Sequence, residues 1–185
     1  MVTTQVQRFT VQRFRVFERP APHLRTFHME INPDYIAPCG LYCGVCGILY
    51  ATLDHNRKFK ERLVGVYKGK LPESENLSIE DIHCRGCLSA EPFVFCNQCA
   101  IRDCAIKRGY IGCHECTDFP CTLIEEFPIP AGKKVILRAI PYWREKATEK
   151  WIRHEEARYI CPECGHKLFR GAKRCNRCKK PVDLD

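Results

Sequence analysis

Long apolar segments are what this chain of 185 residues lacks. No apolar run approaches the roughly 20 residues that a membrane helix needs, so we expect no contact with a membrane. The first 20 residues, MVTTQVQRFTVQRFRVFERP, are polar and basic and contain no apolar core of a secretion signal. We therefore expect a cytoplasmic protein, whose thiols stay reduced. The odd count of 15 cysteines also excludes complete pairing into internal disulfides.

Motifs of the common catalytic sites are absent as well. The sequence has no phosphate-binding loop, no glycine-rich dinucleotide turn, no HExxH helix and no Ser–His–Asp order. Glu125 and Glu126 are adjacent carboxylates, but neighbouring side chains on a helix point in different directions. The sequence leaves enzymatic activity open and favours a non-catalytic protein, so we assign no catalytic residue.

Cysteine is the residue that the chain has in excess, at 15 of 185 positions. At this level, about 8%, cross-linking can replace apolar burial in deciding a fold. In a reducing compartment such Cys-rich patterns are typical of metal sites. The expected fold class is a small, irregular, α-rich and metal-stabilised fold. We expect it to combine a Cys-rich module, a helical arm and a β-hairpin zinc ribbon.

Four segments follow from composition. Residues 1–28 contain five Arg and one Glu, and we expect a basic extension that is disordered or not native, because Met29 resembles a natural start. Residues 29–127 contain eleven cysteines and form the expected Cys-rich metal-binding module. Residues 128–160 form the helical arm and residues 161–185 the zinc ribbon.

The clearest metal motif is CPECGHKLFRGAKRCNRC near the C terminus. Two C-x2-C pairs are separated by ten residues, a spacing typical of a four-thiolate structural zinc site. Gly165 lets the first turn point its backbone N–H groups at sulfur, and a turn near Gly171 brings the pairs together. The second pair is followed by Lys179 instead of glycine. The predicted ligands are Cys161, Cys164, Cys175 and Cys178.

Eleven further cysteines are predicted to bind metal in two or three more sites. They form a C-x3-C-x2-C trio, a C-x2-C pair and two C-x2-C-x4-C trios. Their pairing is open: they can supply two four-ligand sites with three to spare, or sites of four, four and three. His83 or His114 is a candidate for a missing ligand. The eleven are Cys39, Cys43, Cys46, Cys84, Cys87, Cys96, Cys99, Cys104, Cys113, Cys116 and Cys121.

The identity of the metal in residues 39–121 is also open. Zinc at every site suits the C-x2-C pairs, whereas a C-x3-C-x2-C trio can hold three corners of an iron–sulfur cubane. That trio has the spacing of radical S-adenosylmethionine enzymes, but their barrel of about 200 residues or more does not fit this length. A dithiol oxidoreductase needs a βαβ pattern, which is lacking. The expected cofactor is zinc, with one iron–sulfur cluster as the alternative.

Helices are expected between and after the cysteine motifs. Residues 48–67 have apolar residues near helical spacing and predict one or two helices, broken at 54–56. A short helix is expected to end at Gly109, and Asp118 is expected to cap another.

Residues 131–160 predict a helix interrupted by Pro141, with an apolar face that packs on the Cys-rich body. That face consists of Ile140, Trp143, Ala147 and Trp151. Glu149 and Arg153 are spaced for an ion pair.

Several of these motifs together resemble a known family. They are IAPCGLYCGVC, CRGCLS, CNQCAIRDCAIKRG, CHECTDFPC and the Trp-bearing helix before CPECG. The combination is similar to the Cys-rich prokaryotic proteins catalogued as domain of unknown function 3795. The resemblance covers roughly residues 36–160, with a zinc ribbon appended. It implies a metal-binding module common in anaerobes and no established activity.

The formal charge of +8 raises the question of partners. Residues 165–180 contain seven Lys or Arg and no acid, which favours contact with nucleic acid or the ribosome. However, zinc bound by four thiolates carries a net charge of about −2, so three such sites would lower the total to about +2. We expect an unidentified protein partner and keep nucleic acid as an alternative.

Overall fold

A computed structural model describes residues 31–184. The expectation that residues 1–28 are a disordered or non-native extension lies outside this part of the chain. Within it, none of the helices is both long and apolar enough to cross a membrane.

Short helices joined by irregular loops make up most of the described chain, as predicted from composition. Regular β-structure in residues 31–184 is limited to two isolated antiparallel bridges. The α-helices are α1 Gly47–Leu53, α2 Arg57–Tyr67, α3 Val94–Asn97, α4 Ala100–Arg108, α5 Thr122–Glu125, α6 Pro130–Glu145 and α7 Thr148–Arg158. Single 3₁₀ turns occupy Pro33–Tyr35, Cys43–Val45, Ser74–Asn76 and Cys113–Glu115.

The predicted boundaries of α1, α2 and α4 are confirmed. The break between α1 and α2 lies at residues 54–56, where the Asn56 side chain accepts a hydrogen bond from the Phe59 N–H at 3.0 Å. This side chain caps the start of α2. Helix α4 ends at Gly109, whose φ of 69° lies in the left-handed region that glycine adopts most easily.

The predicted capping role of Asp118 is wrong. Helix α5 begins only at Thr122, with Cys121 at the N-cap position. The Asp118 carboxylate instead accepts a hydrogen bond from Nη1 of Arg108 at 3.1 Å. The Asp118 side chain therefore bonds to Arg108 of helix α4 and does not cap a helix of its own.

The predicted interruption at Pro141 is also wrong. Pro141 lies inside α6, on its exposed side, where water can satisfy the carbonyl that loses its helical partner. The chain breaks at Lys146, and α7 starts with Ala147 at its N-cap. Ala147 is exposed, so it does not belong to the predicted apolar face, unlike the buried residues Ile140 and Trp143.

A column of aromatic rings forms the centre of the core. The Trp143 and Trp151 rings stack with centroids 3.9 Å apart, and His114 stacks on Trp143 at 3.8 Å. Tyr42 contacts Trp151 edge to face at 5.8 Å. These rings join α6 and α7 to two of the cysteine loops. The predicted docking of the helical arm on the Cys-rich body thus rests on stacked aromatic rings.

The C-terminal segment packs on the first cysteine loop. The backbone N–H of Arg170 donates to the Val45 carbonyl at 2.7 Å, and the ring of Phe169 lies 4.7 Å from that of Phe59. All described residues belong to one compact unit. The boundaries at 127/128 and 160/161 stay predictions about chain organisation.

Candidate metal centre

The first C-x2-C turn of the C-terminal segment is closed by backbone hydrogen bonds. The Cys161 N–H donates to the His166 carbonyl at 2.8 Å, and the Gly165 N–H donates to the Cys161 carbonyl at 2.9 Å. Gly165 has a positive φ of 68°, a conformation that glycine adopts easily. An isolated bridge between Ile160 and Lys167 lies at the open end of the turn.

The second turn repeats this geometry with a different residue at the critical position. The Cys175 N–H donates to the Lys180 carbonyl at 2.9 Å, and the Lys179 N–H donates to the Cys175 carbonyl at 3.0 Å. Lys179 replaces glycine with a φ of 63°. The second isolated bridge joins Arg174 to Pro181. Each turn thus has one bridge, and the predicted β-hairpin is not formed as a pair of regular strands in the described residues.

The four sulfur atoms of these turns converge. The Sγ atoms of Cys161 and Cys178 are 3.7 Å apart, as are those of Cys164 and Cys175, and all four lie within 4.8 Å of one another. Zinc–sulfur bonds of about 2.3 Å in a tetrahedron place sulfur atoms about 3.8 Å apart. The four predicted ligands can therefore hold one tetrahedral metal ion without rearranging the chain.

Hydrogen bonds make one of these thiols acidic. Burial raises the pKa of Cys175, but the backbone N–H groups of Cys178 and Arg177 counteract it, and the pKa falls to about 6. For Cys178, the backbone N–H of Lys180 lowers the pKa, yet burial and the neighbouring sulfur atoms raise it to about 12. A second negative charge is unfavourable beside the first, and a bound cation would relieve this repulsion.

Replacing Lys179 by glycine is expected to stabilise the metal-loaded protein by about 1 kcal/mol. A non-glycine residue in the left-handed region costs about 1–2 kcal/mol, part of which the greater freedom of glycine in the unfolded chain offsets. Urea unfolding measured by circular dichroism tests this. Lys180→Gly is the matched control, because Lys180 does not have a positive φ, and it should lower stability by about 0.5–1 kcal/mol. Equal effects of both variants would contradict the prediction.

The other eleven cysteines are arranged differently. Within residues 31–184, no group of three potential ligands besides the C-terminal one has its ligand atoms within 4.8 Å of one another. The eleven divide instead between a cavity and a cleft. The seven-cysteine cavity, of about 510 Å³, is lined by Cys39, Cys43, Cys46, Cys84, Cys87, Cys96 and Cys99. The four-cysteine cleft, of about 30 Å³, is lined by Cys104, Cys113, Cys116 and Cys121.

This division does not decide between the partitions considered from the spacing, because seven cavity cysteines and four cleft cysteines can still be grouped as four, three and four. The trio 39–46 and the pair Cys84 and Cys87 share the cavity, but the trio that starts at Cys96 is split. Cys96 and Cys99 line the cavity, whereas Cys104, on helix α4, lines the cleft. All fifteen cysteines have free thiols, so sulfur is available for metal throughout.

Burial controls the protonation of the cavity thiols. It raises the pKa of Cys39 to about 11 and, more strongly, the pKa of Cys87. The pKa of Cys43 and of Cys96 is also well above its usual value, because both thiols are buried and neighbouring thiols disfavour their charge. These groups stay protonated near neutral pH unless a cation takes the proton's place.

Neither candidate histidine joins a ligand group in the described residues. Nε2 of His83 lies 2.9 Å from a carboxylate oxygen of Glu91. His114 stacks on Trp143, and burial lowers the pKa of its imidazole. His83 has an ion-pair partner and His114 has a stacking partner, although Nδ1 of His114 has no hydrogen-bond partner in the described residues. The cysteine spacing alone reveals neither contact.

Sequence reasoning missed Arg170 as a residue of the site. Arg170 lines the seven-cysteine cavity, and its Nη2 donates to the Tyr42 carbonyl at 2.9 Å. Its Nε is buried and has no hydrogen-bond partner in the described residues. In the sequence, Arg170 is one of seven cations in residues 165–180. Nothing in the neighbouring residues indicates that its side chain points into the protein.

Comparison with known proteins supports the resemblance of the Cys-rich region. Residues 35–126 match the family model described as "Protein of unknown function (DUF3795)". Neither the curated proteins nor the solved structures include a match to the chain. The matched residues include all eleven cysteines of the cavity and the cleft, and the four C-terminal cysteines lie beyond them. Over residues 35–126 the chain is thus similar to this family of unknown function, as its cysteine motifs predicted, although the match ends before the predicted limit near residue 160. A group of four cysteines that can hold a metal ion follows the matched region.

Proposed function

We propose that the protein is a zinc-binding protein of the cytoplasm, with a structural zinc site at Cys161, Cys164, Cys175 and Cys178, and that it acts as a non-catalytic interaction module. The convergence of four sulfur atoms at the spacing of a zinc tetrahedron carries the proposal. Four thiolates fill the coordination of zinc, so this site has no open position for a substrate.

The role of the zinc would be to fix the C-terminal segment on the cysteine loops. Phe169 and Arg170, between the two C-x2-C turns, contact Phe59 and Val45. Backbone pairing between strands in this segment is limited, in the described residues, to two isolated bridges. Because ligands converge only in the folded state, metal binding and folding of such a segment are coupled.

The proposed partner is another protein. Basic side chains on this segment also suit nucleic acid, but Arg170 faces the cavity and not the outside. The other six cations of residues 165–180 are close in sequence to the four zinc ligands, whose thiolate charge they would partly neutralise. This distribution of charge gives nucleic acid less support than a protein partner.

Zinc content of the purified full chain tests the proposed site. Cys175→Ser should reduce zinc by one ion per chain, because it removes one of four ligands from a closed site. Arg177→Ser is the matched control in the same turn: its backbone N–H still reaches Cys175, so the zinc content should not change. If Cys175→Ser retains as much zinc as the control, the proposed site is wrong.

A further inference from the structure

The seven-cysteine cavity does not have the geometry of a site for one metal ion. A single tetrahedral ion draws its thiolates to about 3.8 Å from one another, as in the C-terminal centre. The cavity thiols include no group of three within 4.8 Å, among the described residues. They surround about 510 Å³, which is within the range of small-ligand pockets, roughly 300–1,000 Å³.

An iron–sulfur cluster fits this arrangement better than zinc does. Its iron and sulfide atoms lie between the cysteine sulfurs and keep them farther apart than a single ion does. Cys39, Cys43 and Cys46 all line the cavity, and four other thiols on its wall are available as the remote ligand that a cubane needs. Apolar residues such as Ile48, Phe93 and Phe127 complete the wall.

Arg170 provides the second, independent observation. The guanidinium of Arg170 lines the cavity, and a charge that is shielded from water needs a compensating one. Its Nε lacks a hydrogen-bond partner in the described residues, although Nη2 donates to the Tyr42 carbonyl. The guanidinium also has a hydrogen bond with the Tyr159 side chain, so Nε is the donor that is left. A cluster bound by four thiolates is an anion, so it would supply an acceptor for Nε and a negative charge beside the guanidinium.

We propose that the seven-cysteine cavity binds one iron–sulfur cluster, with Cys39, Cys43 and Cys46 as three of its ligands and Arg170 as the cation that stabilises it. This goes beyond the zinc site, which uses other cysteines. The four-cysteine cleft is no part of it, because its volume of about 30 Å³ is that of roughly one water molecule.

The test uses the full chain, produced with added iron and purified without oxygen. Iron, acid-labile sulfide, zinc and the visible spectrum are measured together. We expect equal amounts of iron and sulfide and a charge-transfer spectrum in the wild type, and loss of all three in Cys39→Ser/Cys43→Ser. Cys116→Ser, in the cleft, is the matched control and should keep them. Retained zinc at the C-terminal centre reports that the double variant still folds.

Two results would overturn the proposal. One is a colourless wild-type protein in which zinc occupies the cavity cysteines, and the other is a double variant that keeps its iron and sulfide. Because zinc and iron are counted separately, failure of the C-terminal zinc site is distinguishable from failure of the cavity site.

Arg170→Gln gives a second readout, the reduction potential of the cluster, whose expected shift a folding defect would not produce. Removing a positive charge next to the cluster favours its oxidised form, so we expect the reduction potential to become more negative. Arg174→Gln is the control, because Arg174 is exposed and does not line the cavity. Equal potentials for the two variants would contradict the role of Arg170.

Discussion

Trp151→Ala is expected to lower the free energy of unfolding by about 3–5 kcal/mol, the usual cost of truncating a large buried aromatic residue. The Trp151 side chain is completely buried between the ring of Trp143 and the edge of Tyr42. Its removal would leave a cavity where α6, α7 and the first cysteine loop meet. Urea unfolding followed by far-ultraviolet circular dichroism measures the effect.

Two variants control this prediction. Trp151→Phe keeps an aromatic ring in the column and removes an indole N–H that has no partner in the described residues, so it should restore most of the stability. Leu137→Ala, on the exposed side of α6, should cost less than about 1 kcal/mol. If Trp151→Ala lowers the free energy of unfolding no more than Leu137→Ala does, the aromatic column does not hold α6 and α7 to the first cysteine loop.

Glu155→Ala is expected to cost about 3 kcal/mol, at the low end of the effect of breaking a buried ion pair. The Glu155 side chain is fully buried on α7, and its two carboxylate oxygens accept hydrogen bonds from Arg138 on α6 at 2.5 and 3.1 Å. The Arg138 side chain is 27% exposed, so water can partly solvate its charge after Glu155 is removed. This limits the expected decrease in the free energy of unfolding. The measurement is the same urea titration.

Glu149 provides the matched comparison on the same helix. It accepts hydrogen bonds from Arg153, as the spacing predicted, but both side chains are exposed, so Glu149→Ala should cost at most about 0.5 kcal/mol. A double variant with leucine at 138 and 155 should be more stable than Glu155→Ala, because it leaves no unpaired charge in the interior. If Glu149→Ala and Glu155→Ala lower the free energy of unfolding equally, burial does not strengthen the ion pair between Arg138 and Glu155.

Local sequence rules succeeded where a few neighbouring residues decide the conformation. The break at residues 54–56, the left-handed Gly109 and the two C-x2-C turns depend on hydrogen bonds that span at most about five residues. The same rules failed at Asp118 and Pro141. In the first case Arg108 takes the carboxylate, and in the second an exposed position on α6 tolerates the missing hydrogen bond.

By itself, the sequence determined that the fold is helix-rich, that residues 161–178 contain four cysteines spaced to hold one metal ion, and that the Cys-rich region resembles a family of unknown function. Those features follow from spacing along the chain. Only the tertiary structure decided that seven cysteines share one cavity, and that Arg170 points into it from the C-terminal segment. The reason is that thiols far apart in sequence are brought together by core packing, and spacing carries no information about which of them meet.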